Sequence, residues 1–164
     1  MAVVSPPERA ARLLALVVPL ALLVGAYISE LGFGLYPCEM CWWQRYAHFG
    51  AVALALLAFA GPLPRFWTAL AALAIAASAA IGAFHAGVEY GWWPGLTACS
   101  VTLAAEGKDP LAAVLDAPLV RCDVAPWTLA GVSLAGWNFL FSLAGVLVIA
   151  LLLVKGRGLR DEQG

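Results

Sequence analysis

The chain has 164 residues, of which 63% are hydrophobic and 12% charged. An ordinary soluble domain is about 25% charged and about 45–50% apolar, so this composition excludes a disordered chain and indicates a protein built for lipid. Nine Lys and Arg against ten Asp and Glu give a net charge of −1, too little basic surface to neutralise a phosphate backbone, and nucleic acid is not an expected partner.

A bilayer core needs about 17–25 apolar residues per helix, and four stretches qualify. The first, about 13–29, carries no charged residue. The second, about 43–60, holds Arg45 and His48 in its opening turns and is stopped by Gly61-Pro62-Leu63-Pro64. The third, about 66–88, is rich in alanine, which lets helix backbones approach closely in lipid. The fourth, about 133–154, begins between Gly131 and Gly136, because a start at Trp127 would overrun the bilayer. The expected fold is an all-α membrane protein, one four-transmembrane-helix domain over 1–164 with loops at about 30–42 and 89–132. Asp109-Pro110 predicts the start of a short interfacial helix through Leu115 in the second loop.

Arg9, Arg12, Arg65, Lys155, Arg157 and Arg160 fall on the side of the termini, against Lys108 and Arg121 on the side of the loops, with Arg45 at the boundary. That asymmetry predicts cytoplasmic termini and outward loops. A cleaved leader is not expected, since the first apolar run is long and Tyr27-Ile28-Ser29-Glu30 offers no small-residue cleavage site. Gly87 and Gly91 have GxxxG spacing but stand at a span end, where the motif carries little weight. The tryptophans at 42, 43, 92, 93 and 127 fit an interfacial aromatic belt.

All four cysteines avoid the spans: Cys38 and Cys41 lie in the first loop, Cys99 and Cys122 in the second. Outside the cytoplasm disulfides persist, so two bridges are expected, with three pairings open to four cysteines. A bridge between Cys99 and Cys122 could serve as a staple, whereas C-x-x-C closes too short a loop to restrain the chain and is of more use in redox exchange. Cys41 lies at the head of the second span, where a helix dipole favours a thiolate. Arg45 is one turn further on the same face, Gln44 is beside it and His48 follows, so these side chains are candidates to contact a molecule held at the membrane edge. His85, near the outward end of the third span and one turn before Glu89, is a further candidate. No metal site is expected, because only one cysteine pair is close in sequence and no histidine is near Cys99 or Cys122.

The string Cys38-Glu39-Met40-Cys41-Trp42-Trp43-Gln44-Arg45, with a second outward cysteine pair and the tracts 86–93 and 131–138, resembles the disulfide bond formation protein B family of bacterial inner membranes. The resemblance implies a thiol oxidoreductase with quinone, ubiquinone or menaquinone, as electron acceptor. Its implied partner is a periplasmic thioredoxin-fold protein of the DsbA kind, attacking at Cys99. Cys122 would then attack Cys38, leaving Cys41 to pass electrons to the quinone beside Arg45. Glu39 is acidic where the family often has an apolar residue, and its charge should raise the Cys38 thiol pKa. Two other classes compete: a non-enzymatic scaffold stapled by disulfides, and a metal-binding membrane protein.

Overall fold

The computed structural model describes residues 5–97 and 120–161. Cys99 and the expected interfacial helix after Asp109 lie outside the described residues. Four long helices make up nearly all of the rest: α1 (Pro6–Phe33), α2 (Glu39–Ala60), α3 (Pro64–Glu89) and α4 (Leu134–Asp161). Three of them, α1, α3 and α4, are long and apolar enough to cross a membrane. The exception, α2, carries Gln44, Arg45 and His48 in its first half, and all three are buried inside the bundle. Burial reconciles their polarity with the helix's position, since polar groups in a membrane bundle turn away from lipid.

Each helix packs on its sequence neighbour, and α4 returns against α1, closing the ring. The core is made of small residues, Ala11, Ala15, Ala51, Ala55, Ala71 and Ala72, with Ile75 and Ile149. Without a hydrophobic drive between helices in lipid, such residues stabilise the bundle by letting backbones come close. At one end Arg65 of α3 bonds Glu8 of α1 at 2.8 Å and donates to the Leu153 carbonyl of α4 at 3.1 Å. This is the arginine-rich end, and the C-x-x-C motif occupies the other.

The helices outrun the apolar stretches. Glu30 is part of α1, so the connection to α2 shrinks from the expected dozen residues to Gly34–Cys38. Gly34 takes a φ of 68° and closes α1 by donating to the Glu30 carbonyl at 3.0 Å. The approach to α4 holds an element that the hydrophobic pattern did not announce, a minimal antiparallel hairpin of β1 (Thr128–Leu129) and β2 (Val132–Ser133). Ala130 and Gly131 both have positive φ, 52° and 77°, as a tight primed turn requires. Tyr90, just past α3, ties the hairpin down: its hydroxyl donates to the Gly131 carbonyl at 3.0 Å and accepts from the Ser133 N–H at 2.9 Å. Ser133 in turn accepts from Gly136 N–H at 3.1 Å and so caps α4.

Candidate active site

Cys38 is the N-cap of α2, placed there by the preceding Pro37 and an extended backbone, and Cys41 occupies the first turn. Their sulfurs are 3.2 Å apart, too far for a bond, and both cysteines are free thiols. The Cys41 N–H donates to the Cys38 sulfur at 3.4 Å, and His85 Nε2 of α3 lies 3.5 Å from that sulfur. Hydrogen bonding from Cys41, then the His85 contact and its charge, hold the Cys38 thiol well below its ordinary pKa despite burial. Cys41 moves the other way, because the proton it shares with Cys38 is the harder one to remove.

Two sequence expectations are corrected here. The helix N-terminus was expected to favour a Cys41 thiolate, but in the reduced pair the capping position, and with it the stabilised negative charge, belongs to Cys38. Glu39 was expected to raise the Cys38 pKa. It is exposed to solvent, where its charge is screened, and the shift at Cys38 is downward.

Cys38 packs in a buried cluster with Met40, Val88 and Cys122. Cys122 is disulfide-bonded, and Thr97 Oγ1 donates to its sulfur at 3.5 Å. The fold thus brings a cysteine of each loop into one apolar pocket, a proximity that spacing alone could not reveal.

Gln44, Arg45, His48 and His85 occupy different surroundings. Gln44 donates to the Met40 carbonyl at 3.1 Å, and its amide nitrogen lies 3.0 Å from His85 Nδ1. Gln44 Oε1 accepts from Asn138 of α4 at 2.8 Å, and Asn138 Oδ1 meets His48 Nε2, also at 2.8 Å. Ser78 lies 2.9 Å from the same His48 nitrogen and donates to the Gln44 carbonyl at 3.2 Å. A polar chain therefore runs across α2, α3 and α4 from Cys38 to His48. Gly82 of α3 makes room for it: a Cβ there would sit 3.0 Å from Asn138 Nδ2 and 3.2 Å from Gln44 Oε1. Asn138, Ser78 and Glu30 were not named as site residues: Asn138 only closes the tract 131–138, Ser78 and Glu30 carry no motif, and helix packing alone brings the three to α2.

Arg45 is 6% exposed and forms an ion pair with Glu30 of α1. It also donates to the Ala26 carbonyl at 3.3 Å, with its guanidinium over the rings of Tyr27 and Trp42, at 4.8 and 5.0 Å from their centroids. Two cavities adjoin this region. A cleft of about 480 Å³ at the end of the bundle is lined by Cys38, Cys41, His85, Glu89 and Arg121. A larger cavity of about 710 Å³ runs between α1, α2 and α4, with apolar walls including Leu22, Phe141 and Val148 and a polar corner of Gln44, Arg45, His48 and Asn138. Cys41 lines both spaces, whereas His85 lines only the cleft.

A family profile described as disulfide bond formation protein DsbB matches residues 8–152, most of the chain. The chain belongs to the DsbB family. Among its relatives is a disulfide bond formation protein B of Verminephrobacter eiseniae, 36% identical over an alignment covering 95% of this chain and 92% of the relative. Another, from an Acidovorax species, is 34% identical with coverage of 87% and 90%, and one from Marinobacter nauticus is 32% identical with coverage of 80% and 84%. No solved structure gives a significant match. Membership makes this DsbB-family chain a membrane protein of disulfide bond formation with disulfide oxidoreductase activity.

Proposed function

We propose that this DsbB-family protein reoxidises a periplasmic thioredoxin-fold disulfide donor of the DsbA kind and passes the electrons to a membrane quinone. The observation that carries the reading is the position of Cys41, whose side chain lines both the cleft at the bundle end and the apolar cavity between α1, α2 and α4. A quinone supplies a two-electron, two-proton sink dissolved in lipid. The cavity fits such a head group and tail: apolar walls reach from α1 to α4, and Gln44, Arg45, His48 and Asn138 supply the polar corner.

The four cysteines are the proposed catalytic residues. The partner's thiolate attacks Cys99 in its disulfide with Cys122, forming a mixed disulfide and releasing the Cys122 thiolate. Cys122 shares the buried cluster of Cys38, so its attack there during turnover, breaking a Cys38–Cys41 disulfide, needs little travel. The released Cys41 then carries the negative charge. Once Cys38 is bonded to Cys122, it no longer competes with Cys41 for charge at the start of α2. Arg45, held by Glu30 and the rings of Tyr27 and Trp42, orients the acceptor with a charge whose donors are already partly committed. His85 stabilises the Cys38 thiolate from the cleft side rather than touching the acceptor.

All four helices span the bacterial inner membrane in this reading, with cytoplasmic termini and periplasmic cysteines. The arginine-rich end and the positive-inside tendency support it. The test is quinone-dependent oxidation of a dithiol thioredoxin-fold substrate by the purified protein. Cys41→Ser should abolish quinone reduction, and activity retained at the wild-type level would remove Cys41 from the path.

A further inference from the structure

We propose that the reduced form of this protein binds a thiophilic divalent cation such as Zn2+ through Cys38, Cys41 and His85, with Glu89, outside that close group, moving in as the fourth ligand. In sequence the histidine stands 44 residues beyond Cys41, and no metal spacing is visible. The fold brings the two sulfurs and a ring nitrogen of His85 within 4.8 Å of one another. His85 Nε2 is 3.8 Å from Glu89 Oε1, and both side chains are only 2% exposed. The carboxylate supplies the second, independent observation: its Oε2 is buried with no hydrogen-bond partner among the described residues. A buried carboxylate oxygen left without a donor is costly, and a cation satisfies it.

The distances suit the ion. With Zn–S near 2.3 Å and Zn–N near 2.0–2.1 Å, tetrahedral ligation places sulfur and nitrogen about 3.5 Å apart and two sulfurs about 3.8 Å apart. The S–N separation of 3.5 Å already matches, and the sulfurs at 3.2 Å need open by only about half an ångström. Two cysteines at the start of a helix, one serving as its cap, give a rigid half-site, and α3 delivers His85 to it with Glu89 one turn further on. Binding is not a redox step: any proton on the thiols or on the ligating His85 nitrogen leaves to solvent, both sulfurs ligate as thiolates, and the metal keeps its charge. An occupied site would hold the pair reduced, since neither sulfur could form a disulfide until the ion departs.

The site needs only the reduced pair, so it stands or falls separately from quinone use, which the oxidation assay reads. The experiment titrates Co2+ into the purified, phosphine-reduced full-length protein under anaerobic conditions, followed by competition with Zn2+. The expected result is one ion per chain, with intense visible bands of tetrahedral cobalt and sulfur-to-metal charge transfer, displaced by Zn2+. Cys41→Ser should abolish the charge-transfer band, and His85→Gln should weaken binding about tenfold or more. X-ray absorption of the wild-type zinc complex should show sulfur and imidazole in one shell, a readout that does not depend on any variant folding. Absence of saturable binding, an all-sulfur or all-oxygen shell, or tight binding retained in Cys41→Ser would overturn the proposal.

Discussion

Cys38 and Cys41 are chemically unequal although only two residues separate them. Cys38 accepts from the Cys41 N–H and faces His85, while Cys41 turns toward the apolar cavity. The lowered Cys38 pKa keeps that thiol ionised at pH values where an ordinary thiol, with a pKa near 8.5, is protonated. Alkylation of Cys38 in the reduced protein should therefore stay nearly flat from about pH 8 down to about pH 6, where a normal thiol slows roughly tenfold per unit. Cys41→Ala removes the strongest stabilising contact and should restore the steep dependence, measured as modification rate by mass spectrometry. A second expectation concerns Arg45. Arg45→Lys keeps the charge over Glu30 but loses the planar fork and its stacking on Tyr27 and Trp42, so the KM for quinone should rise about tenfold while the KM for the thiol partner holds. At this scale the sequence marked Cys38, Cys41, Gln44 and Arg45 as candidates, since C-x-x-C-x-x-Q-R is a compact motif, and the fold gathers them at one end of the bundle. It was silent on which thiol would hold the charge, because that depends on His85 arriving from α3.

Among the elements, α3 is the one that most repays inspection of its small residues. A Cβ at Gly87 would lie 2.0 Å from the Trp93 ring, and Trp93 donates to the Phe84 carbonyl at 2.9 Å while stacking on that residue's ring. Gly87 thus serves an aromatic lid folded back on its own helix rather than a helix–helix seam. Gly87→Leu should cost about 1–3 kcal/mol by overpacking, read as a lower Tm in detergent. Combining it with Trp93→Ala should recover part of that loss, since the two changes share one contact. The existence of α1, α3 and α4 was legible in unbroken apolar runs. The minimal hairpin before α4 was not: Ala130-Gly131 is a weak turn signal beside Asn-Gly, and the Tyr90 hydroxyl that holds it comes from a distant segment. The extension of α1 through Glu30 was hidden for a related reason, as hydropathy marks where lipid ends and not where a helix ends.

For the molecule as a whole, the closed ring of helices separates an arginine-rich end, clamped by Arg65, Glu8 and the Leu153 carbonyl, from the thiol end. In a background with the native cysteines replaced by serine, an impermeant maleimide applied to intact spheroplasts should label Tyr36→Cys and spare Arg157→Cys, both at exposed positions. The reverse pattern would invert the proposed orientation. Cys41 also forms part of the partition between two compartments, one opening at the bundle end and one at the helix faces. In the proposed relay a sulfur set into such a wall would be the crossing point between the two spaces, and reductants too bulky for the cleft would not reach it. Small dithiols face no such barrier, so a variant lacking Cys99 and Cys122 should still burn dithiothreitol at the expense of quinone while ignoring a protein substrate. The second loop would then serve to admit protein clients to thiols that they could not otherwise reach, while leaving the small-molecule leak untouched.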